Sequence, residues 1–485
     1  MTGFRRQLRV AECTVVSAMA VALAAPGLAQ SPSPADVAAM QARLDAQDAQ
    51  TKALNTKVDQ LTQVLATRVS GVEAATDNGK VVMTAPSPRL ESAGSNYSLA
   101  IVGVLQPEVG FYHQYDAGRG APRLYNGTII RRAQLGVQGS FGDFGYALVV
   151  DAAATGGMAS AVRDAWISYG GLRPLSLTIG NQKPQNGMEP SFSDRSNAST
   201  FLEAGLPAAL ATVNGTRAIG ARLSAGGAHY SASFGIFGDD INNASIANPV
   251  GDGWGFSGRL TVAAVATVTR VLHFGVSGYE RDPGLGRATT AVTDPVTSQL
   301  RYRAQPEITV DAARLVDTGL LTKVDHYSYV GAEAAAVFGP LSLQGEYAKS
   351  WVDQTSGRTQ LQFDGAYVYA SWMLTGESRV YDPRTGVFVR FKPKRDFDRN
   401  GGWGAWELAA RWSTLDLDSH ETQLALGGVR GGELTDYTIG LNWYLGAWLR
   451  VMANYIHADS TKISATGVNQ GTKADILGLR LHGEW

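Results

Sequence analysis

The sequence is poor in the features that stabilise or anchor most exported and membrane proteins. It has a single cysteine, Cys13, inside an N-terminal segment that reads as removable. A mature chain without thiols excludes disulfides and cysteine-ligated metals, and suits passage through an oxidising compartment. No small-residue lipobox precedes Cys13, which argues against a lipoprotein. No apolar run reaches the roughly 18 residues that a spanning helix needs, and mean hydropathy is only −0.09. Neither charge dominates: 42 Lys/Arg against 43 Asp/Glu give a net charge of −1, so no basic excess points to nucleic acid. The seven histidines show no metal-ligand spacing and no G-x-S-x-G elbow occurs, so neither a metal site nor a hydrolase nucleophile is expected. Gly253-x-Gly255-x-x-Gly258 matches a dinucleotide fingerprint in form only, because a strand pattern follows it instead of a helix. We expect no enzyme activity and no cofactor.

What is present begins with Arg5, Arg6 and Arg9, an uncharged apolar stretch from Val15 to Ala25, and Gly27-Leu28-Ala29. This reads as a secretory signal peptide over residues 1–29. From Asp36, a natural N-cap, Val37, Met40, Leu44, Gln47, Thr51, Leu54, Val58, Leu61 and Leu65 repeat at three- and four-residue steps. The pattern predicts a short periplasmic coiled coil over residues 30–67, with polar Gln47 and Thr51 helping to fix register. A single amphipathic helix lying on another surface would show a similar stripe. Residues 68–95, with Gly79, Pro86 and Pro88, read as a linker.

From Asn96 the period becomes 2 and stays there. In the last segment Leu477, Leu479, Leu481 and Trp485 share one face, while Gly478, Arg480, His482 and Glu484 share the other. Ala133, Leu135 and Val137 likewise oppose Arg132, Gln134 and Gln138, and Trp406, Leu408, Ala410 and Trp412 oppose Glu407, Ala409 and Arg411. A soluble sandwich would also alternate. Residues 96–485, at roughly 24 per strand and loop, make about 16 strands. Trp406, Trp412, Trp443 and Trp448 fall near strand ends, where an interfacial girdle belongs. A terminal aromatic, Trp485, closes the chain. The expected fold is all-β, an antiparallel transmembrane barrel in outer-membrane lipid, closed because an open edge cannot satisfy its backbone in hydrocarbon.

Alternation also sorts charges by face. Arg132, Arg222, Arg259, Arg411, Arg450 and Arg480 lie out of phase with the apolar faces of their strands, and Arg301 and Arg303 share one face of a short segment. An ionised side chain towards lipid costs up to about 2–4 kcal/mol at mid-bilayer, so these point inward. Guanidinium groups stay charged and hold oxyanions in bidentate fashion, which suits an anion path. Salt bridging within the wall is the alternative for any single arginine, and Asp151, Asp164, Glu333, Glu346, Glu407 and Glu484 supply the acids for it. Inward aromatics such as Trp166, Tyr279, Tyr367 and Tyr369 could form a sliding surface for sugars or aromatic acids, or fill the wall.

Several short motifs, in order, resemble those of the phosphate-selective porin O/P family. They are Arg131-Arg132-Ala133-Gln134-Leu135-Gly136 with Gly142-Asp143, Thr200-Phe201-Leu202-Glu203, Leu374-Thr375-Gly376-Glu377, Gly404-Ala405-Trp406-Glu407-Leu408 and Gly440-Leu441-Asn442-Trp443-Tyr444. The resemblance covers residues 96–485. It implies a homotrimer of 16-stranded barrels, each narrowed by an inward-folded loop 3, here about residues 183–216, with Lys183, Asp194, Arg195 and Glu203 at the constriction. It places Arg132, Arg259, Arg301 and Arg303 at lumenal positions. The sequence departs from the phosphate-selective pattern at Ala204, Pro190 and Thr178, where basic residues are expected. The resulting expectation is passive diffusion of small anions, including phosphate or other oxyanions. The alternative is a weakly selective general, organic-acid or sugar porin whose coiled coil tethers the envelope through peptidoglycan or periplasmic contacts.

Overall fold

A computed structural model describes scattered positions from Asp45 to Gln60. From residue 80 onward it describes all residues but 85–86, 93–95, 154–161, 192–197, 214–215, 242–252 and 285–299. Residues 1–77 and 78–485 form separate units. In the first, every described position, Thr51 among them, is helical and exposed. The signal segment and the other heptad positions lie outside the described residues.

In the second unit, β1 (Lys80–Thr84) and β2 (Ser87–Glu91) form a hairpin within the segment expected to be a linker. Val81 and Val82 favour extended backbone there. Sixteen further strands build the wall. The first eight are β3 (Tyr97–Ala117), β4 (Gly127–Phe141), β5 (Phe144–Asp151), β6 (Val162–Tyr169), β7 (Leu175–Gln182), β8 (Ala218–Gly226), β9 (Tyr230–Phe237) and β10 (Trp254–Ala266). The others are β11 (Arg270–Asp282), β14 (Val324–Phe338), β15 (Leu341–Gln354), β16 (Leu361–Met373), β19 (Ala405–Ser419), β20 (Val429–Tyr444), β21 (Leu449–Thr461) and β22 (Thr472–Glu484). Small hairpins, β12 (Arg303–Ala304) with β13 (Val316–Asp317) and β17 (Tyr381–Asp382) with β18 (Val387–Phe388), lie in the connections between β11 and β14 and between β16 and β19.

Each wall strand pairs antiparallel with the next, and β22 pairs with β3, so the sheet closes. The alternation explains the wall directly. Ile101, Leu105, Leu477, Leu479 and Leu481 stand exposed outside, while Arg480, His482 and Glu484 are at most 2% exposed inside. So large an apolar exterior makes sense only against lipid. One rim carries tight turns such as Gly142-Asp143 and Gly339-Pro340, and the outward Trp406 and Trp443 stack there at 5.2 Å. Short turns are the periplasmic signature. One connection on that rim, residues 374–404, is long.

The lumen of so wide a barrel needs more than wall side chains to narrow it. Three connections fill it: loop 3 between β7 and β8, with α1 (Met188–Ser191) and α2 (Ala208–Ala211); loop 5 between β11 and β14; and the 374–404 segment from the opposite rim. Leu206 and Leu210 of loop 3 and Tyr302, Ile308 and Leu315 of loop 5 pack into one cluster with wall residues Tyr327 and Ile456. Val387 and Phe388 of the opposite segment pack with Met188, Val271 and Val337.

The last residue extends the closing ladder between β22 and β3. Gly103 and Trp485 exchange backbone hydrogen bonds at 2.9 and 3.1 Å, and a Cβ on Gly103 would collide with the Trp485 indole. Gly103→Val is therefore expected to cost about 1–3 kcal/mol through overpacking. The temperature at which the barrel loses its folded mobility on detergent gels should fall, and Trp485→Ala in the same chain should restore part of it.

Candidate functional site: the lumenal constriction

The alternation of β4 breaks at one place. Arg132 pairs with Gln106 and Ile130 with Pro107, which leaves Arg131 as the extra residue of a β-bulge. A bulge re-aims side chains, and here both neighbouring arginines serve the lumen. Arg131 donates through Nε to Glu203 of loop 3 at 2.8 Å, and Arg132 through Nη1 to Gln106 at 2.9 Å. Strict period-2 reading missed Arg131 as a lumenal residue.

Loop 3 is held by its backbone. Wall carboxylate Glu346 accepts from the N–H groups of Met188 and Glu189 at 2.9 and 2.7 Å. Wall guanidiniums donate to loop carbonyls: Arg450 to Ser199 at 2.6 Å, Arg411 to Glu203 at 3.0 Å, and Arg480 to Leu202. Asn442 donates to the carbonyl of Thr200 at 2.8 Å. Arg379, from the periplasmic-side segment, donates to the carbonyl of Ala198 at 3.1 Å. Loop 5 is docked through Glu307, whose carboxylate accepts from Arg411 Nε at 2.9 Å and Thr438 at 2.6 Å.

Between the loops lies a cavity of ≈ 330 Å³ lined by Arg131, Arg132, Lys183, Arg303, Arg314 and Arg480, with three carboxylates, Glu189, Glu203 and Glu307. The carboxylates are engaged. Glu203 pairs with Arg131 and Arg480, Glu307 with Arg411, and Glu189 accepts from the Gly205 N–H at 2.7 Å. Burial opposes the charge on Glu203, but Arg131 and Arg480 hold its carboxyl far below the ordinary 4.5. Among the described residues, Arg303 and Arg314 have no carboxylate partner, and both line this cavity. Burial, with the like charges of Arg303, Arg301 and Arg131, lowers the Arg314 guanidinium from its usual value.

The predicted residues divide by environment. Arg132 and Arg303 reach the cavity, and Lys183 lines it while donating to the carbonyl of Pro190 at 3.3 Å. Arg222 stands farther along the lumen, its Nη1 donating to the carbonyl of Lys183 at 2.8 Å. Arg259 and Arg411 are on the inward face but only 5% and 3% exposed. Arg259 pairs with Glu333 and donates to the carbonyls of Thr385 and Gly386 at 3.1 and 2.7 Å; Arg411 pairs with Glu307. These two clamp inserted segments. Arg301 is exposed in loop 5, beyond the wall strands, and pairs with Asp317. Asp194 and Arg195 lie outside the described residues. Tyr367 and Tyr369 are buried, and Tyr279 donates to the carbonyl of Leu210 at 2.7 Å, so all three serve packing. Arg314 was missed because it sits in a loop, where no periodicity marks its direction. Among the described residues no group of three or more His, Asp or Glu side chains could hold a metal ion.

The family model for phosphate-selective porin O and P matches residues 109–482. Porin O of Pseudomonas aeruginosa is 26% identical over 323 residues, covering 62% of this chain and 69% of that protein. Among solved structures, outer-membrane expressed OmpT of Vibrio cholerae is 11% identical, covers 84% of this chain and all of its own, and has a TM-score of 0.49. The outer membrane channel DcaP of Acinetobacter baumannii is also 11% identical, over 81% and 99% of the two chains, at 0.47.

The depressed carboxyl of Glu203 has a definite sign. Its pairing contributes stability that is complete above its ordinary pKa and is lost only as pH falls through the lower folded value. Single-channel conductance should therefore hold steady from pH 7 to about pH 4 as far as this contact is concerned. Glu203→Gln should release positive charge into the cavity and move the reversal potential in a salt gradient towards anions.

Proposed function

Because the chain belongs to the phosphate-selective porin O and P family, and because the cavity between loops 3 and 5 carries six cationic side chains against three engaged carboxylates, we propose that this outer-membrane porin passes small anions by diffusion, phosphate and other oxyanions among them. The single observation that carries the reading is the pair Arg303 and Arg314. Both guanidiniums line the cavity without a carboxylate partner among the described residues. A guanidinium fork replaces the hydration of an oxyanion at two points, and placing two such forks beside Arg132 lowers the barrier at the constriction. Nothing in the passage requires a bond to be made or broken.

A weakly selective channel is the competing reading. Its support is the neutralisation of other lumenal arginines: Arg259 by Glu333, Arg411 by Glu307 and Arg480 by Glu108. Planar-bilayer reversal potentials in a potassium chloride gradient separate the two. Anion preference, reduced in Arg303→Gln/Arg314→Gln and accompanied by weaker block by phosphate, supports the proposal. No preference, or cation preference, in the unaltered protein overturns it.

The proposal extends to the N-terminal region: residues 1–29 are removed on export and residues 30–67 form a coiled coil that steadies a trimer from the periplasm. Deleting 36–68 from the mature chain should leave single-channel conductance unchanged and lower the temperature at which trimers dissociate in detergent. Unchanged trimer stability would remove the assembly role.

A further inference from the structure

Beyond the constriction the route continues through a second cavity of ≈ 230 Å³, which shares Lys183 with the first. A third, of ≈ 340 Å³, shares Gln185 and Arg222 with the second. The second cavity differs in kind from the constriction. Trp166 lines it, whereas the inward Tyr367 and Tyr369 are buried in packing. The indole lies near Gly145, where a Cβ would stand 3.7 Å from its Cζ3, and it lines the cavity.

Around this ring the strands place hydroxyls and one cation in register. Ser168 of β6 faces Thr178 of β7, and Thr178 faces Arg222 of β8, so the three lie on one rung across the sheet. Trp166 is the next inward residue along β6, and Ser176 the next along β7. Two strand spacings, about 10 Å, separate the columns that carry the indole and the guanidinium. Arg222 has no carboxylate partner among the described residues, and its buried Nε has no hydrogen-bond partner at all. The ion pair in the cavity, Arg217 with Asp164 at 3.3 Å, is neutral overall and can both donate and accept.

We propose that this second cavity is a binding subsite for a sugar acid, a hydroxylated ring carrying one carboxylate. The inference rests on the anion-channel reading of the constriction and narrows its substrate class. Each part of the site matches one part of such a ligand. The carboxylate meets Arg222, whose fork suits it. The ring's C–H face lies on the indole, an aromatic surface with large contact area. The hydroxyls exchange hydrogen bonds with Ser168, Ser176 and Thr178. Phosphate would leave the indole unused, and a benzoate-like anion would leave the hydroxyls facing apolar carbon. The subsite adjoins the first cavity at Lys183 and the third at Gln185 and Arg222, so a bound ligand has neighbouring cavities on either side.

The test is block of chloride current through the purified full chain in planar bilayers, with glucuronate, acetate, glucose, benzoate and phosphate as probes. Glucuronate is expected to block at a concentration at least about fivefold below acetate, the discrimination that one aromatic platform of roughly 1 kcal/mol supplies, and below glucose, which lacks the carboxylate, and benzoate, which lacks the hydroxyls. Trp166→Ala should bring glucuronate to the level of acetate and leave phosphate block and chloride conductance unchanged, while Trp166→Phe keeps most of the difference. If the alanine variant does not insert, Trp166→Leu carries the same expectation. Glucuronate no better than acetate or benzoate, or phosphate block that falls with glucuronate in Trp166→Ala, overturns the subsite. The reversal potential in the same bilayers reports independently on the anion reading: cation preference there sinks that reading, whereas loss of glucuronate selectivity alone sinks only this one.

Discussion

Loop 3 can lie inside the barrel only because its carbonyl oxygens meet guanidinium groups. A loop pulled off the rim loses water, and each buried backbone group left without a partner costs about 1–3 kcal/mol. Arg450, Arg480 and Arg411 rise from three different wall strands and Arg379 from the opposite rim, and together they reach the carbonyls of Ser199, Leu202, Glu203 and Ala198. Lysine would be a poorer choice. Its ammonium is a compact, strongly hydrated point charge, whereas the planar fork can hold a carbonyl with one nitrogen and a carboxylate with another. Arg480 does both, bonding Leu202 and pairing with Glu108 and Glu203.

Clamping a loop with cations would flood the lumen with positive charge if nothing opposed it. The wall therefore carries acids in register with the clamps. Glu333 faces Arg259 and Glu108 lies beside Arg480, each nearly without exposure. Removing one member of such a pair leaves the other charge buried and uncompensated, which is far more costly than never having built the pair. The arrangement separates two jobs that arginine could otherwise confuse. Wall arginines Arg259, Arg411 and Arg480 are paired and hold structure, while Arg303 and Arg314, which line the first cavity without a carboxylate partner among the described residues, come from loop 5. The field along the route is thus set by residues that the barrel does not need in order to close.

The barrel itself was legible because lipid imposes a period that no loop can imitate. Leu477, Leu479 and Leu481 alternate with Arg480 and His482 as a soluble sandwich would also allow, but with about 16 strands and aromatics near their ends the pattern fits a wall in lipid, and closure of β22 on β3 followed from the need to pair every edge. Direction of the wall arginines was legible for the same reason; their occupation was not. Nothing in the spacing of Arg259 or Arg411 says that Glu333 or Glu307 lies opposite, since those contacts join residues 74 and 104 positions apart. Arg131 was hidden by a bulge, whose single extra residue resets the phase, and Arg314 by a connection with no phase at all. The long 374–404 segment was equally hidden, because its inward course depends on Phe388 and Arg379 finding partners on loop 3 and the wall.

The three positions at which the sequence leaves the pattern that the family resemblance implies all line lumenal cavities. Ala204 and Pro190 line the first cavity and Thr178 the second. None of them holds a clamp or a wall pair. Thr178 sits on the rung with Ser168 and Arg222, where a lysine would place a second cation against the guanidinium and crowd the hydroxyls. A small hydroxyl at that point leaves Arg222 as the rung's only charge. What the route admits can therefore change at a few lumenal positions while the clasp on loop 3, and with it the fold, stays as it is.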